Sequence, residues 1–273
     1  MLRHHPSRST PMSTEGWLDL TGKVAFVTGS GHGIGAGIAT ALHAAGATVI
    51  VSDITAQAAA ATAAKLNAPN LPLDVTDRAA VDAVFDAVAK QHGSLDIVVN
   101  NAGVYRGFGG PVTTITDEMW RTLWAVNVDG VFYCCRAAAR IMQAQGNGGR
   151  IINIASTQAV TPGVGVTYDG SKAAVVQITR ALALELGKHQ ITVNAVAPGP
   201  TWVVDAPKPP LGGQPARTGE ALADTVSDRI SRMPLGRWGD PLEIGQACLF
   251  LASPMANFIT GIYLPVDGGW LTL

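Results

Sequence analysis

The sequence predicts an α/β protein: one domain built on a parallel seven-stranded sheet with helices on both faces. Three observations carry that expectation. Short β-branched runs alternate with helical patterns along the whole chain. The strand runs are almost wholly apolar rather than alternating, as strands covered on both sides must be. No shift in composition divides the chain, and no internal repeat is visible.

The elements follow in order. "KVAFVTG" (Lys23–Gly29) is a buried strand stopped by glycine. A helical stripe of Ile34, Ile38, Ala41, Leu42 and Ala45 follows and closes at Gly46. "ATVIVSD" (Ala47–Asp53) is the second strand, and the alanine-rich "TAQAAAATAAKL" is helix by propensity. "NLPLDV", the helix around "RAAVDAVFDAVAKQ" and the strand "LDIVVNN" (Leu95–Asn101) complete the first half. The second half predicts one long helix over about Asp117–Gln145, a strand at Arg150–Ser156, and a helix from about Tyr168 to Leu186. "ITVNAVAP" and "IYLPVD" are the last strands. Residues 1–17 are polar and proline-bearing and read as a flexible tail, leaving 18–273 as the domain. The Gly- and Pro-rich stretch from Gly199 opens a substrate loop of about 199–232, since loops of that length are usually functional or disordered.

Composition excludes several classes. The formal net charge is −1 with 14% charged residues, so nothing suits a nucleic-acid polyanion or an anionic membrane. No apolar run approaches the roughly 20 residues that span a bilayer. Cys134, Cys135 and Cys248 form no C-x-x-C pair and read as reduced thiols of a cytoplasmic protein. The six histidines show no metal spacing, so no metal is expected.

"TGSGHGIG", Thr28–Gly35, joins the first strand to the first helix. Dinucleotides bind at such turns: glycines admit the pyrophosphate, and the helix N-terminus offers free N–H groups and a positive dipole end. The G-x-G-x-x-G spacing is met loosely, by Gly31, Gly33 and Ala36, and a plain tight turn would look similar. Asp53 closes the second strand, where a carboxylate accepts ribose hydroxyls and repels a 2′-phosphate. Ile54 and Thr55 follow it instead of a cation, and His32 occupies the turn, so NAD is favoured over NADP. A strand-end turn residue is the bland reading of Asp53.

"YDGSK" sets Tyr168 and Lys172 four apart, on one helix face. A lone pair of this kind is more often a surface feature. Here it stands among "LDV" (Asp74, Val75), "NNAG" (Asn100–Gly103), "NVDG" (Asn127), "INIAS" (Ser156) and "VNAVAPG" (Pro198, Gly199). With the glycine turn, these motifs in this order make the chain similar to the short-chain dehydrogenase/reductase family over about Leu18–Leu273. The resemblance implies a Rossmann-type doubly wound sheet of order 3-2-1-4-5-6-7 and a homotetramer. It also implies a cofactor set of Gly29, Gly31, His32, Gly33, Ile34, Asp53, Ile54, Asp74, Val75, Asn101, Ala102, Gly103, Tyr168, Lys172, Pro198, Gly199 and Thr201. The family often has threonine where this chain has Val203, which makes Thr201 only a stand-in.

The chemistry explains the spacing. A free phenol titrates near pH 10, and lowering that toward 7 takes roughly 4 kcal/mol at about 1.36 kcal/mol per unit. An ammonium one turn away and an oxidised nicotinamide cation can supply it. Tyr168 is thus expected as general acid/base and Lys172 as the residue that acidifies it and holds the nicotinamide ribose. Ser156 is expected to bond the substrate oxygen, and Asn127, by resemblance, to hold a water linking Lys172 to solvent. A kink residue for Asn127 and an ordinary strand-end role for Ser156 are the alternatives. Tyr105, Gln158, Val160 and Trp202 are expected to wall the pocket, suiting a hydrophobic or cyclic secondary alcohol or ketone. Arg106 fits a wall or a solvated loop equally. The apolar tail "DGGWLTL" is expected at a subunit interface. Two other readings use the same fold: a cofactor-independent halohydrin dehalogenase, opposed by Lys172 and the glycine turn, and a catalytically silent nucleotide-binding protein, opposed by the full Ser156–Tyr168–Lys172 set.

Overall fold

A computed structural model describes residues 16–203 and 233–272. Most of the expected tail and residues 204–232 of the expected substrate loop lie outside this range. The sheet has seven parallel strands among the described residues, in the order β3-β2-β1-β4-β5-β6-β7. These are β1 (Val24–Val27), β2 (Thr48–Asp53), β3 (Asn70–Pro72), β4 (Ile97–Asn100), β5 (Gly149–Ile154), β6 (Ile191–Pro198) and β7 (Tyr263–Val266). The order is the doubly wound one predicted, with the reversal between β1 and β4.

Register aligns the strand ends. Val27 pairs with Val51 and Val99, Asn100 with Asn153, Ile154 with Val196, and Pro198 with Val266. Because every strand runs the same way, every carboxyl end emerges at one edge, and ligands of open α/β sheets bind there.

Side chains alternate through the sheet into two cores. Phe26, Val98, Ile151 and Val193 point to one side. They meet α3 (Arg78–His92), α5 (Val131–Gln145) and α6 (Val166–Leu186). Phe26 and Phe85 of α3 pack at 4.8 Å between ring centroids. Val27, Val99, Ile152 and Val196 point to the other side. There they meet α1 (Gly33–Ala44), α2 (Ala56–Leu66) and the last long helix, α7 (Pro241–Ala252). Burying each such aliphatic or aromatic side chain is worth about 1.5–3 kcal/mol. Glycines set the approach of α1 and α7: a Cβ on Gly245 would strike the carbonyl oxygen of Gly37.

Polar residues punctuate the helices. Asp77 caps α3 through the N–H groups of Ala79 and Ala80, at 2.9 and 3.0 Å. Asp240 and Glu243 form a capping box at α7, with Pro241 in its first turn. Gly93 and Gly146 end α3 and α5 at φ 81° and 71°, where a side chain would be strained.

The long helix predicted over Asp117–Gln145 is interrupted. α4 (Asp117–Trp124) passes into a π-helical stretch, Ala125–Gly130, before α5 begins. The physical cause is tertiary. Asn127 in the wide turn exchanges two hydrogen bonds with the backbone of Val104, which no sequence period reports. Such bulges concentrate at functional sites. At the C-terminus, Trp270 is buried at 8% exposure beside Met233 and Trp238 of its own chain.

Candidate active site

The turn after β1 is held from the neighbouring strand. Thr28 Oγ1 accepts the N–H groups of Asn101 and Ala102, both at 3.0 Å. Asn101 Nδ2 donates to the carbonyls of Thr28 and Gly29 at 3.0 and 2.8 Å. Gly29 and Gly33 adopt φ 60° and 55°, the left-handed region where glycine is favoured. A Cβ on Gly29 would lie 2.8 Å from Ala102 Cα. The exposed His32 is the N-cap residue of α1 and makes no side-chain cap bond. The His32 side chain therefore does not compete with an anion for that end of the helix. The Val203 side chain would lie 3.5 Å from a Cβ on Gly33, so Val203 borders the glycine turn.

Asp53 stands at the end of β2, 6% exposed. Its carboxylate accepts Gly31 N–H at 3.1 Å and the N–H and hydroxyl of Thr55 at 3.3 and 3.2 Å. Ile54 beside it is exposed. Asp74 is exposed and accepts both the N–H and the hydroxyl of Thr76, at 2.9 and 2.8 Å, while Val75 is buried against Gly130. Gly199 lies so close to Asp267 that a Cβ would come within 2.6 Å of it. Pro198 ends β6, and its carbonyl accepts from Thr157 Oγ1 at 3.4 Å. The Thr201 hydroxyl donates to Gly199 O at 3.0 Å.

The four residues expected to act on substrate come together at the ends of β5 and α6. The Ser156 hydroxyl stands close enough to the Tyr168 phenol to lower its pKa. Lys172 is 4% exposed, and its Nζ donates to Ile154 O at 2.8 Å. It lies 5.7 Å from the centre of the Tyr168 ring. Asn127 is fully buried, and its Nδ2 also reaches Ser171 Oγ at 3.2 Å. A Cβ on Gly103 would stand 3.3 Å from Asn127 Oδ1 and 3.6 Å from Lys172 Nζ, so a bare backbone borders the lysine. The N-terminus of α6 is tied down by Asp169, which accepts from the N–H groups of Gly163, Val164 and Gly165.

The electrostatics differ from the sequence expectation. Tyr168 is not acidified by its protein surroundings. Burial pushes its phenol up to about 12, the Ser156 hydrogen bond lowers it, and Tyr105 and Asp169 raise it further. Lys172 does not reverse this, because burial draws the ammonium itself down to about 8. Desolvation disfavours the charged form of both groups.

The expected wall residues divide. Tyr105 meets the Tyr168 ring at 5.8 Å, and Arg106 lies over the Tyr105 ring and donates to its hydroxyl at 3.1 Å. Gln158 N–H donates to Ser156 Oγ at 3.1 Å. Val160 is 57% exposed. Trp202 packs edge-on against Trp238 at 5.7 Å. Two residues outside the predicted set also matter to the geometry. Thr28 holds the glycine turn, and its place in the T-G motif was a signal. Tyr263, on β7, donates from its hydroxyl to Ser156 O at 3.1 Å, a contact across β6 that no local pattern signals.

A family model described as enoyl-(acyl carrier protein) reductase matches residues 29–271. Galactitol 2-dehydrogenase of Agrobacterium fabrum is 39% identical over 265 residues, covering 93% of this chain and all of its own. The chain belongs to the short-chain dehydrogenase/reductase family. Sorbitol dehydrogenase of Cereibacter sphaeroides is likewise 39% identical, over 271 residues, with 93% of this chain and 100% of the relative covered. A solved short-chain type dehydrogenase/reductase from Mycobacterium marinum superposes with a TM-score of 0.81 at 35% identity, covering 93% of this chain and 97% of that one. As a short-chain dehydrogenase/reductase, the protein is an NAD(P)-dependent oxidoreductase that acts on a secondary alcohol or ketone. The dehalogenase alternative finds no support. The glycine turn, the uncapped α1 terminus and Asp53 fit a dinucleotide. Among the described residues no cluster of metal ligands occurs, and no helix is long and apolar enough to cross a membrane.

The lowered Lys172 has a testable consequence. Between pH 8 and 10.5 the unfolded chain holds a proton on this lysine that the native chain lacks. Wild-type stability should therefore gain on that of Lys172→Met as pH rises through this window. Denaturant unfolding of both proteins just below pH 8 and near pH 10.5 measures the difference. A difference that stays constant argues against a desolvated ammonium.

Proposed function

We propose that this short-chain dehydrogenase/reductase is an NAD-linked dehydrogenase of a secondary alcohol that carries further hydroxyl groups. The observation that carries the reading is the Ser156–Tyr168–Lys172 cluster at the strand edge beside the glycine turn. Two hydroxylic side chains, Ser156 and Tyr105, act on the Tyr168 phenol. Two of the relatives above bear the names of polyol dehydrogenases, which supports the same substrate class. The apolar residues behind the expectation of a hydrophobic substrate are less closely tied to the phenol, since Val160 is exposed and Trp202 packs on Trp238. A cyclic polyol suits both observations.

Each residue then has a task. Ser156 holds the carbinol oxygen against Tyr168 and stabilises charge that develops there. Tyr168 takes the hydroxyl proton in oxidation and returns it in reduction. Lys172 places a cation near the phenol and orients the nicotinamide ribose. Asn127 has its side chain committed to Val104 and Ser171, so any water it holds for proton exchange is held by its backbone. When bound, an oxidised nicotinamide supplies the hydride acceptor and a positive charge, and the protein groups alone leave Tyr168 protonated. The glycine turn and the α1 terminus would hold the pyrophosphate, and Asp53 would accept from the adenosine ribose. The apolar Val203 leaves the carboxamide contact to backbone groups or to Thr201.

NAD is our preference over NADP because Asp53 occupies the end of β2 with no arginine or lysine in the next two positions. The buried, unpaired Cys134, Cys135 and Cys248 accord with a cytoplasmic protein. A homotetramer is proposed from large apolar side chains that the single chain leaves exposed, among them Trp120, Phe132, Leu184 and Phe258.

Tyr168→Phe should abolish oxidation of an alditol and secondary-alcohol panel, followed as reduced-nicotinamide absorbance, with NAD affinity nearly unchanged in titration. Retained turnover would sink the acid/base role. Asp53→Ala should shift the ratio of kcat/KM for NAD over NADP toward NADP by at least tenfold, and an unchanged ratio refutes the ribose contact. Sedimentation of the wild type at micromolar concentration should give a tetramer; a monomer contradicts the assembly.

A further inference from the structure

We infer that Tyr263 is a positioning residue for the dehydrogenation: its hydroxyl holds the Ser156 peptide and so aims the Ser156 side chain at the reacting oxygen. This rests on the reading that Ser156 and Tyr168 hold that oxygen. β5 ends at Ile154, so Ser156 stands beyond the paired strand, at the start of the 3-10 turn Thr157–Ala159. Its carbonyl accepts two hydrogen bonds. One is internal to the turn, from Ala159 N–H at 3.0 Å, and the other comes from the Tyr263 hydroxyl at 3.1 Å. The Ser156 hydroxyl oxygen in turn accepts Gln158 N–H at 3.1 Å.

A lone 3-10 turn has poor hydrogen-bond geometry and little stability of its own. The tie to β7 gives it a fixed reference in the sheet. Tyr263 pairs with Ala195 of β6, and β6 separates it from β5. Ala195 and Ala197 face the same core as the tyrosine, and their single methyl groups leave room for the ring to cross β6. Burial and the nearby Asp267 push the Tyr263 phenol up to about 12, so it stays a donor well above neutral pH. Displacing a reacting group by about 1 Å can cost roughly a hundredfold in rate. The Ser156 hydroxyl also lowers the pKa of Tyr168. Its placement is therefore read out twice, in the rate and in the pH at which Tyr168 gives up its proton.

The experiment compares the wild type with Tyr263→Phe, which deletes the hydroxyl and keeps the ring, and with Tyr263→Leu, which deletes both. NAD reduction with the alcohol panel is followed across a pH series. Tyr105, Asp169 and Lys172, the other groups that bear on the Tyr168 phenol, are unchanged in both variants. In Tyr263→Phe, kcat/KM for the alcohol should fall about tenfold at neutral pH, with NAD affinity within about twofold of wild type. The pH of half-maximal kcat/KM should rise by about half a unit or more, because Ser156 no longer lowers the Tyr168 pKa as far. Tyr263→Leu should show the same kinetic shift with a further loss of stability to denaturant. Tyr263→Met replaces the phenylalanine variant should that fail to fold. Wild-type kcat/KM in Tyr263→Phe, or a slower rate with an unmoved pH midpoint, overturns the inference while leaving the dehydrogenase reading intact. Failure of the wild type to reduce NAD with any alcohol of the panel overturns both.

Discussion

The hydrogen bond from Lys172 Nζ to the carbonyl oxygen of Ile154 fastens α6 to the end of β5. The active-site geometry depends on that link. Taking an ammonium out of water costs several kcal/mol, and a hydrogen bond to a charged group returns roughly 1.5–3 kcal/mol of it. The lysine is thus a net strain on the fold that its chemistry justifies. Because it is anchored, Tyr168 one helical turn earlier is aimed at Ser156, two residues beyond Ile154. The bare backbone of Gly103 and the buried Asn127 close the lysine from the opposite side.

A dry site changes what each group can do. Burial raises the Tyr168 phenol and lowers the Lys172 ammonium, so the phenol stays protonated until further charge arrives while the lysine still carries its proton at neutral pH. Acid/base readiness is therefore coupled to occupation by an oxidised cofactor rather than built into the protein alone.

Beneath the site, buried polar groups align the layers. Asn100 Nδ2 donates to Asn153 Oδ1 at 2.8 Å, and Asn153 Nδ2 donates to Thr179 Oγ1 at 2.9 Å. β4, β5 and α6 are thereby locked in register below Ser156 and Tyr168. The Thr28–Asn101 bonds do the same for β1 and β4 under the glycine turn. Buried hydrogen bonds between layers favour one arrangement where an apolar core would allow sliding.

The sequence by itself determined the layers, the strand order implied by its family motifs, and the identity of most candidate site residues. These are written in local periodicity and fixed spacings, such as the four-residue gap from Tyr168 to Lys172, which a helix converts directly into a shared face. Only the tertiary structure decided what those residues experience. The π-helical turn at Asn127 answers to Val104, 23 residues away in the chain. The contact of Tyr263 with Ser156 spans 107 residues. Without a cofactor, burial raises the pKa of Tyr168, because desolvation depends on what surrounds a group in space. Spacing along a chain reports neighbours on one element, whereas burial and cross-element hydrogen bonds arise only when the elements pack.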